Sequence, residues 1–178
     1  MVPKILITSP YPQMTEIIKT VAAELNIPVK IIEGTMTEAA LAVKNEIEKN
    51  PQIEVIISRA GTLKEIKRQQ VQRPIIHAEN SDFDILEAFW HARKLGNKIA
   101  FLTFRDEQYS YRFELLSEIL GFQVHLFPYQ TWDELVEQIH NAKKEGIDVV
   151  VGGGISAAKI VIENGMKGMH ISTSKRTI

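Results

Sequence analysis

Short apolar, β-branched runs alternate with longer stretches in which apolar residues return every three or four positions, almost from end to end. The runs KILIT, EVIIS and IDVVV lack the in–out alternation of a half-solvated strand. They match strands buried on both faces of a parallel sheet. On this pattern the sequence predicts strands at Lys4–Ser9, Val29–Glu33, Val55–Ser58, Ile75–Ala78, Lys98–Phe104, Val124–Tyr129, Val149–Gly152 and Met169–Ser172. It predicts helices at Met14–Leu25, Glu38–Lys49, Leu63–Gln70, Phe83–Leu95, Tyr109–Leu120, Trp132–Lys144 and Ser156–Asn164. Thr37, Ser81 and Thr131 stand where N-caps belong, and Gly96, Gly121, Gly146 and Gly165 where helices should end. The fold class is α/β.

The pattern also repeats. Residues 1–80 read as an N-terminal lobe of four strands and three helices, and 97–178 as a second lobe of the same make-up, with a connecting helix over 81–96. The expected architecture is two tandem four-stranded parallel-sheet α/β/α lobes with a cleft between them. No stretch rich in Pro, Gly or Ser marks a boundary, so the lobes should be closely coupled. In open α/β sheets, ligands bind outside the carboxyl ends of the strands, so the residues after each strand become the candidate site.

Those residues share a chemistry. After the first strand come Thr8, Ser9, Pro10 and Tyr11; after the third, Ser58, Arg59, Ala60, Gly61 and Thr62; after the fourth, Asn80 and Ser81, with Asp84 close behind. The fifth strand ends in Thr103, Phe104 and Arg105, and the seventh runs into Gly152, Gly153 and Gly154. Hydroxyls, glycine-flanked backbone donors and a guanidinium, all leading into helix starts, suit an anion. Arg59 is placed to clamp a carboxylate or phosphate bidentately. The competing explanation is that Ser, Thr and Gly at strand–helix turns serve capping and tight turns alone.

Net charge and composition narrow the partners. A formal charge of -1 on 178 residues gives no basic patch for nucleic acid or anionic membrane. The absence of cysteine removes disulfides, thiolate metal sites and cysteine nucleophiles. No apolar run reaches the roughly 18 residues of a membrane span, and the N-terminus has no secretory signature, so the expected compartment is the cytoplasm.

Catalytic and cofactor signatures are sparse. Gly152–Ala158 fits G-x-G-x-x-A, but the dinucleotide reading wants a carboxylate at the end of the next strand, where Ile171, Ser172 and Thr173 stand. A helix start facing a small anion is the better reading. There is no P-loop, no HExxH and no G-x-S-x-G, and His77 with Glu79 lacks a third ligand, so neither a metal nor a catalytic set is assigned. Phe89, Trp90, Phe101, Phe104 and Phe113 fall on helix or strand spacing and read as core in place of a stacking platform, and His125 and His170 fall in predicted strands.

Residues 57–104 carry a more specific signal. Ser58-Arg59-Ala60-Gly61-Thr62, then Asn80-Ser81-Asp82-Phe83-Asp84, then Gly96-Asn97-Lys98-Ile99-Ala100, together with the later VVVGGG, resemble the N-terminal sensory domain of the propionate catabolism activator family. Ala60 departs from the glycine usual in that family; its methyl would narrow the pocket or show that the position tolerates negative φ. The resemblance implies two chelatase-like lobes at the N-terminus of a bacterial sigma-54-dependent regulator. An ATPase and a helix-turn-helix would follow, this chain being a fragment. ATP and DNA would bind downstream, leaving no cofactor here.

The leading expectation is therefore a sensor binding a small, carboxylated metabolite between its lobes. Ser9, Ser58, Arg59, Gly61, Thr62, Asn80, Ser81, Asp84, Thr103, Phe104, Gly152, Gly153 and Gly154 are its candidate ligand-binding residues. Two alternatives stay open. One is an isomerase or lyase on the same scaffold, with His77, Glu79 and Asp84 as the nearby acid/base groups. The other is an interaction module, for which helices Phe83–Leu95 and Tyr109–Leu120 are aromatic enough to form a homodimer surface.

Overall fold

The computed structural model describes residues 2–105, 113–175 and 177–178. They divide into two compact units, Met1–Ser81 with Thr173–Ile178, and Asp82–Ser172. The division differs from the expected lobes at both joints. The helix that begins at Asp82 groups with unit 2, and the segment from Thr173 onward groups with unit 1.

Unit 1 runs β1 (Ile5–Ser9), α1 (Pro12–Glu24), β2 (Val29–Glu33), α2 (Met36–Lys49), β3 (Val55–Ser58), α3 (Ala60–Arg68) and β4 (Ile75–His77). Its sheet has the order β2-β1-β3-β4 with every pairing parallel. The chain steps outward from β1 to β2, then crosses back to β3 on the other side, so the strand order reverses between β1 and β3. One face is closed by α2 and α3, whose Ala40, Val43 and Ile66 pack with Leu6, Ile32, Ile53 and Ile56. Helix α1 buries Met14, Thr15 and Ile18.

Unit 2 repeats the plan with one added helix. It runs α4 (Asp82–Ala92), β5 (Lys98–Phe104), α5 (Phe113–Leu120), β6 (Gln123–Tyr129), α6 (Trp132–Lys144), β7 (Val149–Gly152), α7 (Gly154–Glu163) and β8 (Lys167–Met169). The order is β6-β5-β7-β8, again all parallel. The pleat of β5 explains its unbroken apolar sequence. Ala100 and Leu102 enter a cluster with α6 and α7, while Ile99 and Phe101 enter a second cluster with α4 and Phe113. A strand covered on both sides has no polar face to show.

Several elements start or end away from their predicted positions, each for a local reason. Helix α1 begins at Pro12, a residue suited to the first turn because its missing N–H would have no intrahelical partner there. Helix α2 begins at Met36 behind Thr35, so Thr37 lies inside the first turn and is not the cap. Thr131 does cap α6, its hydroxyl accepting from the Glu134 N–H at 3.2 Å. Strand β8 covers Lys167–Met169 in place of the predicted Met169–Ser172, because Val149, Val150 and Val151 of β7 pair with Lys167, Gly168 and Met169. Of the predicted helix Tyr109–Leu120, residues 109–112 lie outside the described residues. Among the described residues no helix is long and apolar enough to cross a membrane.

Candidate functional site

The reversal of strand order between β1 and β3 creates a switch point, where the two following connections leave toward opposite faces of the sheet. Arg59 stands there, directly after β3, as the N-cap residue of α3. The stretch Ala60-Gly61-Thr62, which reads as a loop by composition, is the helix's first turn. Arg59 offers no side-chain cap, and neither do Tyr11 before α1, Thr35 before α2 or Gly153 before α7. At the start of α2 the Met36 N–H is instead taken by the Thr62 hydroxyl, and in α1 the Met14 N–H by the Tyr11 carbonyl.

The guanidinium of Arg59 is held from two sides. Its Nη2 donates to Asn80 Oδ1 and its Nη1 to Thr173 Oγ1. Tyr11 completes the group: its hydroxyl donates to Thr173 Oγ1 at 2.9 Å and accepts the Thr173 N–H at 2.9 Å. Sequence reasoning places Arg59 and Asn80 in the site and passes over Thr173. No local pattern marks Thr173, because its partner Tyr11 lies 162 positions away in sequence.

The neighbouring hydroxyls are committed within the fold. Thr8 and Ser58 lie side by side on β1 and β3 with their oxygens 2.8 Å apart, both buried. Ser9 donates to the Tyr11 carbonyl at 3.0 Å and accepts from Thr15 at 2.9 Å. Thr62 accepts the Met36 N–H at 3.0 Å, fastening the start of α2 to the first turn of α3. Gly61 makes room for that junction, since a Cβ there would lie 2.4 Å from the Met36 sulfur. These buried hydroxyls form the floor on which Arg59 stands.

Ala60 has φ +47°, in the left-handed region, so the notion that this position tolerates negative φ is overturned. An alanine in that region costs about 1–2 kcal/mol. A glycine would relieve the strain while losing roughly 0.5–1 kcal/mol of chain entropy. Ala60→Gly is therefore expected to stabilise the fold by about 0.5–1 kcal/mol in denaturant unfolding. A loss of stability would show that the methyl packs usefully.

In unit 2, Thr103 is buried opposite Pro128 and Phe104 packs on Tyr129, with ring centroids 4.6 Å apart. Arg105 pairs with Glu134 at 2.9 Å. Gly152 lies against Leu102, its strand partner, and leads through Gly153 into α7. Asp84 is buried in the first turn of α4, which opens Asp82-Phe83-Asp84. The structure thus sorts the candidates into two sets, one in each unit. Ser9, Ser58, Arg59, Gly61, Thr62, Asn80 and Ser81 lie in unit 1; Asp84, Thr103, Phe104 and Gly152–Gly154 lie in unit 2.

His77 and Glu79 form an exposed pair at 3.3 Å. Among the described residues no group of three or more His, Asp or Glu side chains is arranged to hold a metal. Burial lowers the pKa of His170 below its ordinary value of 6.5, and the Ser172 hydroxyl lies 3.3 Å from its Nε2. His125, on β6, has a buried Nε2 with no hydrogen-bond partner among the described residues. It borders a groove of about 410 Å³ between β6 and α6, away from the strand ends.

Two parallel four-stranded sheets with matching strand order define a duplicated α/β architecture. The profile of the propionate catabolism activator family matches residues 23–178, and the chain belongs to that family. Its fold is similar to that of an NtrC family transcriptional regulator from Clostridium acetobutylicum. That likeness has a TM-score of 0.84 at 23% identity, covering 99% of this chain and 91% of that one. A LacI family transcriptional regulator from Bifidobacterium animalis subsp. lactis DSM 10140 is a looser likeness, with a TM-score of 0.46 at 12% identity over 93% of this chain and 76% of that one. The transcription regulator CcpA of Lactococcus lactis gives 0.45 at 11% identity over 94% and 75%. No curated protein matches the chain.

Proposed function

We propose that this chain is the effector-sensing domain of a bacterial sigma-54-dependent transcriptional regulator, acting in the cytoplasm without catalysis. It binds a small anionic metabolite, a carboxylate by preference, and controls an ATPase and DNA-binding region elsewhere in the protein. The observation that carries this reading is the position of Arg59. A half-buried guanidinium stands at the switch point of a parallel sheet, beside an uncapped helix start. Guanidinium and helix N–H groups both favour a negative ligand. Asn80 and Ser81 border the same strand ends, and the Gly152–Gly154 turn marks the equivalent position in unit 2. In this reading the ligand is held between the lobes. It favours their closed arrangement only by its difference in affinity for the two states.

The test is a thermal-shift screen against di- and tricarboxylates, sugar acids and phosphorylated metabolites. At about 100 times Kd a ligand adds roughly 2.7 kcal/mol, which is readily seen. Arg59→Ala should weaken the hit by at least about thirtyfold, the lower end of the cost of truncating a desolvated charge partner. Because Arg59 also holds Asn80 and Thr173, the quantity to read is the ligand-induced shift against each variant's own baseline. A hit that survives Arg59→Ala overturns the assignment of this residue. Turnover of a bound acid would replace the sensor with an enzyme.

A further inference from the structure

Among the described residues four non-glycine positions have positive φ: Asn26, Met36, Ala60 and Gln70. Asn26 and Gln70 each stand just past the C-cap of a helix, α1 and α3, where the left-handed conformation is an ordinary ending. Met36 and Ala60 have no such reason, since they open α2 and α3. The two helix starts are fastened together beside Arg59: the Met36 N–H donates to Thr62, in the first turn of α3, at 3.0 Å. With its backbone fixed at φ +53°, Met36 lays its sulfur and methyl group against the α-carbon of Gly61, where any Cβ would collide with them. On its other side the same residue is open, at 39% exposure. An exposed methionine alone means little. This one is held by a strained backbone over the residue two positions past Arg59.

We infer that Met36 is a specificity-determining residue of the candidate site, its thioether forming an apolar wall that favours a carboxylate carrying a short alkyl chain over a bare one. The inference rests on the anion-binding reading above. A carboxylate on the Arg59 guanidinium brings its next carbon atoms over the first turn of α3. Gly61 has no side chain to hold them off, and the thioether is the group lying against it. Each methylene fully buried there raises affinity about fourfold. A thioether suits chains of different length, because it is polarizable and its stem turns about three bonds. The guanidinium then sets the charge of the ligand, and Met36 sets what may accompany that charge.

The experiment uses the whole chain, carbon-13 labelled at the methionine methyl groups, with acetate, butyrate and hexanoate as probes. Met36→Leu identifies the Met36 signal by its loss. Butyrate should shift that signal in the wild type, and affinity should rise at least about tenfold from acetate to hexanoate. Met36→Leu, still apolar, should keep the rise, whereas Met36→Gln should reduce it to threefold or less. Arg59→Ala should weaken all three acids alike. A Met36 signal that bound butyrate leaves unmoved, or a full rise in Met36→Gln, overturns the inference and leaves the anion site standing. Acids that bind Arg59→Ala as they bind the wild type, or acids that do not bind the wild type at all, overturn the anion site and the inference with it.

Discussion

Phe89→Ala is expected to cost about 3–5 kcal/mol of folding stability, the range for emptying a large aromatic site in a core. Phe89 is fully buried on α4 and meets three other rings. Phe101 and Phe113 lie edge-on with centroids 5.2 and 6.3 Å away, and Phe122 is tilted at 6.1 Å. Phe101 and Phe113 also touch each other, so the rings form a closed group that a single smaller side chain would leave with a void. Its sequence neighbour Trp90 is the control. Trp90, about 100° further round the same helix, is 48% exposed, with Arg93 over its ring at 4.5 Å. Trp90→Ala should cost no more than about 1 kcal/mol, the worth of an exposed cation–π contact. Urea unfolding of the two variants checks both figures. Similar losses would mean that α4 is held by its surface and not by the aromatic cluster.

That contrast also shows what the sequence could reveal. Strands β3, β5 and β7 were legible to the residue, because a buried strand is a compact apolar run with polar or glycine boundaries, and the edge strand β2 was legible from its β-branched residues between Pro28 and Gly34. On α4 spacing marked Phe89 as core correctly, but it marked Trp90 as core too, and Trp90 is exposed. Helix starts were harder. Ala60, Gly61 and Thr62 have the composition of a loop, and apolar periodicity becomes visible only from Leu63, one turn into α3. Strand β8 was misplaced because GMHIS is the more strand-like stretch locally, while pairing with β7 decides the register. The place of Arg59 was legible, since a switch-point residue is fixed by topology and topology follows from element order, while Asn80 comes to it from the end of the neighbouring edge strand β4. Thr173 was illegible, because its role depends on a chain reversal that brings it back to Tyr11.

The glycine-rich turn after β7 separates structural need from ligand need. Gly152→Ala is expected to cost about 3 kcal/mol or more. The residue has φ +97°, a conformation costing an alanine roughly 1–3 kcal/mol. Its new Cβ would also lie 2.6 Å from the carbonyl oxygen of Leu102 on the neighbouring strand. Backbone in the middle of a sheet cannot retreat cheaply, so β5 and β7 must part or the turn must rebuild, at about 1–3 kcal/mol more. Gly154 has φ +78° but nothing within 4 Å of the added carbon. Gly154→Ala should therefore cost only the conformational strain, about 1–2 kcal/mol. Denaturant midpoints of the two variants test the difference; equal losses would mean that the Leu102 carbonyl yields. The pair also bears on function, because Gly154 opens α7 and its substitution leaves the Leu102 contact intact. If the folded Gly154→Ala chain loses anion binding while Arg59 is untouched, the turn contributes to recognition. If it binds as the wild type does, the glycines serve the approach of β7 to β5, and recognition belongs to the Arg59 side of the molecule.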